Sequence, residues 1–147
     1  VVIGDCKNVE FEPEVAATCT KLRKESAMGP AYTELLNSTF CLVPGGYHPG
    51  SFRLREVMSV GCVPVFVGDD YVKPFSSLID WPNTGFEFCA ACIEHIVPTL
   101  KAVSMKVVDR MRRNAVFAFE KYMSTPLKEW EAVFYILNLR VQYHAVR

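Results

Sequence analysis

Apolar residues fall into short blocks with two different periods, and the clearest of them sit between residues 40 and 67. Phe40 to Val43 is a brief, partly branched apolar run, which predicts a buried strand. Pro44, Gly45, Gly46, Pro49 and Gly50 follow and break the pattern into a loop. The period then lengthens: Leu54, Val57 and Met58 form one stripe of a helix over Phe52 to Val60, with Ser51 as its cap and Gly61 as its stop. Val63 to Val67 is a second apolar strand. Strand, glycine-rich loop, helix and strand in this order predict a right-handed parallel unit whose loop faces the carboxyl ends of the strands.

Outside this unit the pattern is sparser. Tyr32 to Asn37 predicts a short helix, Phe75 to Ile79 one helical turn after Pro74, and Phe86 to Phe88 a brief strand. Pro98 is suited to opening a short helix, and Ser104 to capping a long one through about Met123. Lys101, Lys106, Arg110, Arg112 and Arg113 make this region basic, which reads as a solvated helix face. Thr125 and Pro126 start a last helix. In it Trp130, Val133, Phe134, Leu137 and Val141 keep helical spacing and read as core or domain contact. The fold class is therefore α/β, a Rossmann-like parallel sheet flanked by helices.

The chemistry concentrates at the first turn of the residue 52–60 helix. Arg53 places a cation at the positive end of the helix dipole, which costs a few tenths of a kcal/mol up to about 1. A bound anion reverses that sign, because backbone N–H groups and the guanidinium then share one charge. Glu56 lies one turn on, with two acceptor oxygens suited to a pair of hydroxyls. The plain alternative is a surface pair between Arg53 and Glu56, worth roughly 0.2–0.5 kcal/mol. A glycine loop before a helix does not decide between them.

More residues in the same order do bear on it. Phe40-Cys41-Leu42-Val43-Pro44, Gly50-Ser51-Phe52-Arg53, Glu56, Gly61-Cys62-Val63-Pro64-Val65, Asp69-Asp70, Pro74-Phe75-Ser76 and Leu78-Ile79-Asp80-Trp81 together resemble the exostosin family, glycosyltransferase family 47. Val1 to Cys6 resembles a family strand ending in cysteine, and Arg110-Met111-Arg112 through Tyr122 resembles its late helix. The resemblance implies an inverting glycosyltransferase of two facing Rossmann-like domains, the GT-B arrangement. Such enzymes take nucleotide sugars, usually UDP-sugars, and build heparan sulfate backbones in animals or cell-wall polysaccharides in plants. It implies that this chain is the carboxy-terminal, donor-binding half, with Arg53 on the diphosphate and Glu56 on the ribose. The donor loop maps to Gly45 to Gly50. That loop, Gly45-Gly46-Tyr47-His48-Pro49, departs from the more basic one of many animal members and is nearer to plant-like ones.

The resemblance sets the remaining expectations. Donor-binding residues are Gly45, Gly46, Tyr47, Ser51, Arg53, Glu56 and Asp69. Tyr47 either stacks on the base or covers the loop, and His48 reads as a plain loop histidine. No catalytic base is identifiable. Partners are the nucleotide sugar, a glycan acceptor and the acceptor domain of the same polypeptide, with a homo- or hetero-oligomer partner as a further option. No cofactor or metal is expected, since GT-B enzymes usually stabilise the diphosphate with helix ends and basic residues. The location implied is the Golgi lumen, with a membrane anchor outside this chain. A non-catalytic exostosin-like subunit, which binds sugar nucleotide or stabilises a partner, is the alternative reading. An unrelated Rossmann-like sensor or phosphatase-type domain does not account for the match over residues 40 to 81.

Composition narrows the field further. The 147 residues fit one domain, which the resemblance implies is a single nucleotide-sugar-binding domain, residues 1–147, without the acceptor-binding domain. Hydrophobic content of 50% excludes a disordered chain. Sixteen basic and sixteen acidic residues cancel, which argues against a general nucleic-acid binder. No apolar run approaches the roughly 18–20 residues of a membrane span. Six cysteines are many for a cytosolic domain. Adjacent strands put Cys41 and Cys62 within disulfide reach, and family position supports that pair together with Cys6–Cys19. Cys89 and Cys92 form a lone C-x-x-C. With His95 they give three metal ligands and no fourth, and the motif alone is weak evidence for redox chemistry. Buried thiols or a third bridge are the expectation there.

Overall fold

The computed structural model describes residues 38–45 and 50–145. The expected strand at Val1 to Cys6, the helix at Tyr32 to Asn37, the Cys6–Cys19 bridge, and the loop residues Gly46, Tyr47 and His48 lie outside the described residues.

Three strands form a parallel sheet in the order β1-β2-β3. β1 is Phe40–Pro44, β2 is Val63–Val67 and β3 is Phe86–Phe88. Phe40 pairs with Val63 and Pro44 with Val67, while Val65 pairs with Phe86 and Val67 with Phe88. β2 is the middle strand and is buried from Val63 to Phe66, as expected for a strand covered on both faces. Its branched, all-apolar sequence follows from that position.

The β1–β2 connection contains α1, Arg53–Ser59. Leu54, Val57 and Met58 are its buried residues, the stripe that the spacing predicts. They join Cys41, Val43 and Phe66 in the main core, which a later helix, α3 (Met105–Tyr122), completes through Ala115 and Ala118. Gly61 ends α1 with φ of 70°. Its N–H donates to Met58 O at 3.1 Å, and Cys62 N–H donates to Val57 O at 3.1 Å. These two bonds make a Schellman ending, which needs a left-handed residue where glycine has no penalty. Arg112 on α3 adds a third partner: its Nε donates to Gly61 O at 2.9 Å.

Past β3 come α2 (Ile93–Lys101), α3 (Met105–Tyr122) and α4 (Pro126–Ala145). Val108 and Met111 of α3 pack with Val63 in a second cluster, against Phe40 and Phe86. Thr125 caps α4, its Oγ1 accepting from Lys128 N–H at 3.3 Å, with Pro126 as the first helical residue. This is the start that the Thr-Pro pair predicts. An Arg55–Glu129 ion pair at 2.7 Å ties α1 to α4.

Two expectations are corrected, one is met and one is narrowed. Pro98 does not open a helix; it lies inside α2, which begins five residues earlier. The cause is local, because the Cys89–Cys92 turn delivers the chain directly to Ile93, and Ile96 anchors the helix in the core. The single helical turn expected at Phe75 to Ile79 is present, with Ile79 N–H donating to Phe75 O at 2.9 Å. Ser51 does not occupy the capping position, which falls to Phe52, although its hydroxyl accepts from Arg53 N–H at 3.3 Å. The stripe on α4, read as core or domain contact, is not core among the described residues: Trp130, Phe134, Leu137 and Val141 are exposed, Val133 is part-buried and Ala132 is buried.

Candidate functional site at the carboxyl edge of the sheet

The carboxyl ends of the three strands are drawn together by backbone hydrogen bonds. Gly45 N–H donates to Val67 O at 2.9 Å, and Gly68 N–H donates to Phe88 O at 3.0 Å. Gly68 has φ of 145°, and a Cβ there would come within 3.9 Å of Gly45 N. Two glycines thus face each other where β1 and β2 end. α1 starts from the same edge, so Arg53 and Glu56 stand on the first turn beside it.

Arg53 Nε lies 3.7 Å from Glu56 Oε2. The Arg53 side chain is three-quarters shielded while that of Glu56 is nearly half exposed. The pair is long for an ion pair, within the first turn of α1. The first-turn amides differ from expectation. Arg53 N–H donates to Ser51 Oγ, Leu54 N–H to Ser51 O at 3.2 Å, and Arg55 N–H to Phe52 O at 3.2 Å. These three donors are already used, so they are not free for an anion.

Asp69 follows Gly68, and its Oδ1 accepts from Ala90 N–H at 3.1 Å. That bond links the end of β2 to the turn after β3. Asp70 is exposed beside it. The described residues contain no cluster of three or more His, Cys, Asp or Glu side chains suited to a metal ion.

Two residues at this edge escaped the sequence reading. Phe52 is 95% exposed, directly before Arg53. At 100° per residue it stands about 160° away from Leu54 on the helix wheel, so the stripe itself excludes it from the core. Tyr71 is buried against the Phe66 ring, 4.8 Å between centroids. Its hydroxyl has no hydrogen-bond partner among the described residues. Burial raises its pKa above the ordinary tyrosine value, and the nearby Ser51 backbone opposes this only in part. Nothing in the local sequence marks it, because a tyrosine after two aspartates reads as a loop residue.

The bridge between Cys41 and Cys62 is present, with Cα atoms 5.9 Å apart. It joins β1 to the residue before β2, behind the site. A second bridge joins Cys89 to Cys92, Cα atoms 5.1 Å apart. Asp80 and Trp81 form a packed turn: Trp81 is buried, its Nε1 donates to Pro74 O at 3.0 Å, and Thr84 Oγ1 donates to Asp80 O at 2.7 Å. The basic residues of α2 and α3 are solvated apart from Arg112. A groove of about 470 Å³ is lined by Val60, Gly61, Arg112, Arg113, Val116, Phe117 and Glu120. It lies at the opposite end of α1, and none of the candidate residues lines it. No described helix is long and apolar enough to cross a membrane.

Comparison with known proteins agrees with the residues that compose this edge. The family model for the Exostosin GT47 domain matches residues 2–86, a span that includes β1, α1, β2 and Asp69. The chain is 40% identical over 93 residues to an Exostosin-1 homolog of Caenorhabditis elegans, covering 63% of this chain and 24% of that protein. It is 30% identical over 146 residues to Exostosin-1a of Danio rerio, covering 99% of this chain and 20% of that protein. Exostosin-1 of Drosophila melanogaster is 31% identical over 115 residues, covering 78% of this chain and 15% of that protein. The chain therefore spans about a fifth of the length of these curated relatives. By the family match and these relatives, the chain belongs to the exostosin family, its residues 2–86 matching the GT47 domain.

Proposed function

We propose that this chain is the donor-binding part of an inverting glycosyltransferase of the GT-B arrangement, taking a nucleotide sugar and serving transfer to a glycan or polysaccharide. The observation that carries this reading is the Arg53–Glu56 pair on the first turn of α1, at the carboxyl edge where Gly45, Gly68 and Asp69 meet. In parallel α/β sheets that edge is where ligands gather. In this reading Arg53 binds the diphosphate of a UDP-sugar and Glu56 the ribose. Phe52 offers an exposed ring for the base, beside whatever Tyr47 contributes. Gly45 and Gly46 let the loop approach the donor, Ser51 holds the first turn, and Asp69 takes a sugar hydroxyl.

The chemistry requires two things. An acceptor hydroxyl attacks the anomeric carbon from the face opposite the leaving nucleotide, and a base removes its proton. Charge also develops on the departing diphosphate, where a fixed cation lowers the barrier. Arg53 supplies the second requirement, with no metal needed. The base belongs to the acceptor side, in the acceptor domain of the same polypeptide. The location that fits this work, and the bridges, is the Golgi lumen.

Calorimetric titration with UDP and a panel of nucleotide sugars tests the reading. Arg53→Ala should weaken UDP binding by roughly ten- to a hundredfold, the loss of a charge-assisted contact of about 1.5–3 kcal/mol. Glu56→Gln keeps shape and one acceptor and should cost less. Both residues lie off the buried stripe, so the fold should survive. If Arg53→Ala binds UDP as the parent does and melts at a lower temperature, Arg53 is only the structural partner of Glu56.

A further inference from the structure

The two described disulfides stand in different surroundings. Cys41 and Cys62 are 3% and 0% exposed, inside the main core. Cys89 and Cys92 are only part-buried, in a turn whose middle residues Ala90 and Ala91 are exposed. That turn joins the carboxyl end of β3 to α2, and Cys92 is the residue before Ile93, the first of the helix. Cys92 N–H also donates to Cys89 O at 3.0 Å, so one backbone hydrogen bond and the disulfide together close the turn. Thiol–disulfide exchange requires a thiolate to reach a sulfur. The folded protein allows that at Cys89–Cys92 and denies it at Cys41–Cys62.

The turn is also attached to the site edge. Ala90 N–H, between the two cysteines, is the donor held by Asp69 Oδ1 at 3.1 Å. We propose that Cys89–Cys92 is a thiol–disulfide exchange site, opened by a dithiol in the folded protein, and that opening it loosens the hydrogen bond that anchors Asp69 at the end of β2.

The step balances without other reactants. A thiolate of the dithiol attacks one sulfur, the Cys89–Cys92 bond breaks, and a mixed disulfide forms. The second thiol of the same dithiol resolves it. Cys89 and Cys92 gain two electrons and two protons as free thiols, and the dithiol becomes a disulfide. An oxidised dithiol runs the reaction backward. This chemistry does not depend on what binds at the edge, so it stands or falls apart from the donor-site reading.

The test treats the intact protein with dithiothreitol, traps thiols with a maleimide at timed intervals, and maps peptides by mass. Amide hydrogen exchange follows the peptide containing Ala90 in both redox states. Cys89 and Cys92 should be trapped about a thousandfold faster than Cys41 and Cys62, because a buried bridge exchanges only through rare opened molecules. Oxidised dithiothreitol should restore the same pairing. The Ala90 amide should exchange about tenfold faster after reduction, the loss expected for one hydrogen bond to a carboxylate. Cys89→Ser combined with Cys92→Ser should show that fast exchange with no reductant present. The proposal is overturned if both bridges open together, if reduction does not reverse, or if Ala90 protection is the same in both states.

Discussion

Gly85 sits where β3 begins, and the backbone of β2 passes directly over it. A Cβ built there would meet Pro64 O at 2.5 Å and Pro64 Cγ at 2.9 Å. Neither neighbour can give way, since Pro64 belongs to the middle strand of the sheet. Gly85→Ala should therefore lower stability by about 1–3 kcal/mol, the usual cost of forcing atoms into a packed core, read as a fall in melting temperature. Gly50 has nothing within 4 Å of its Cβ position and serves as the comparison; Gly50→Ala should leave the melting temperature nearly unchanged. Equal shifts for the two would show that crowding at Pro64 is not the cause. The local sequence carries no sign of this, because a glycine between Thr84 and Phe86 looks like any turn residue. Arg53 and Glu56 were legible for the opposite reason. A cation at a helix start breaks a local rule, and rule-breaking residues stand out in one dimension. Tyr71 stayed hidden, since it is buried against Phe66 of β2 with the backbone of Ser51, distant in sequence, nearby.

At the scale of elements, β1, α1 and β2 are readable because each is short, strongly apolar and bounded by glycine or proline. The stripe Leu54, Val57 and Met58 then names its own core. The same spacing misleads on α4. Trp130, Phe134, Leu137 and Val141 repeat at helical intervals, yet all four are exposed and Ala132 is the buried residue of the helix. Periodicity reports that a face is apolar and does not report what covers it. Pro98 misleads similarly, for the start of α2 is set by a preceding turn and not by its proline. The exposure of α4 has a direct consequence. Phe134 is 63% exposed and its main ring contact is Trp130 on its own helix, centroids 5.9 Å apart. Phe134→Gln should change the stability of this domain by no more than about 0.5 kcal/mol. Val57→Ala, at a fully buried position, should cost about 2–4 kcal/mol by leaving a cavity. Denaturant midpoints compare the two. A loss at Phe134 as large as at Val57 would return that ring to the core.

Considered as a whole molecule, the domain has a built edge and a scaffold behind it. The Cys41–Cys62 bridge, the Schellman ending of α1 and the Arg112 bond to Gly61 all fix the far end of α1. They leave the Arg53 end to face the carboxyl edge. That division suits a domain that binds one substrate and lends it to chemistry performed with another surface. Inverting transfer needs donor, acceptor and base held in one geometry, and a base within hydrogen-bond reach of the attacking hydroxyl. Of the candidate groups at this edge, Arg53 is a cation, Glu56 is paired with Arg53, and one oxygen of Asp69 accepts from Ala90 N–H. On the donor-site reading, the 147-residue chain alone should bind a UDP-sugar at one site and transfer no sugar to glycan acceptors. Isothermal titration on the purified chain reads the first outcome, and a radiolabelled-donor transfer assay with oligosaccharide acceptors reads the second. Binding that Arg53→Ala weakens, without transfer, is the expected pair of results. Sustained transfer by the chain alone would mean that a base lies within it, and the assignment of catalysis to a facing acceptor domain would then be wrong.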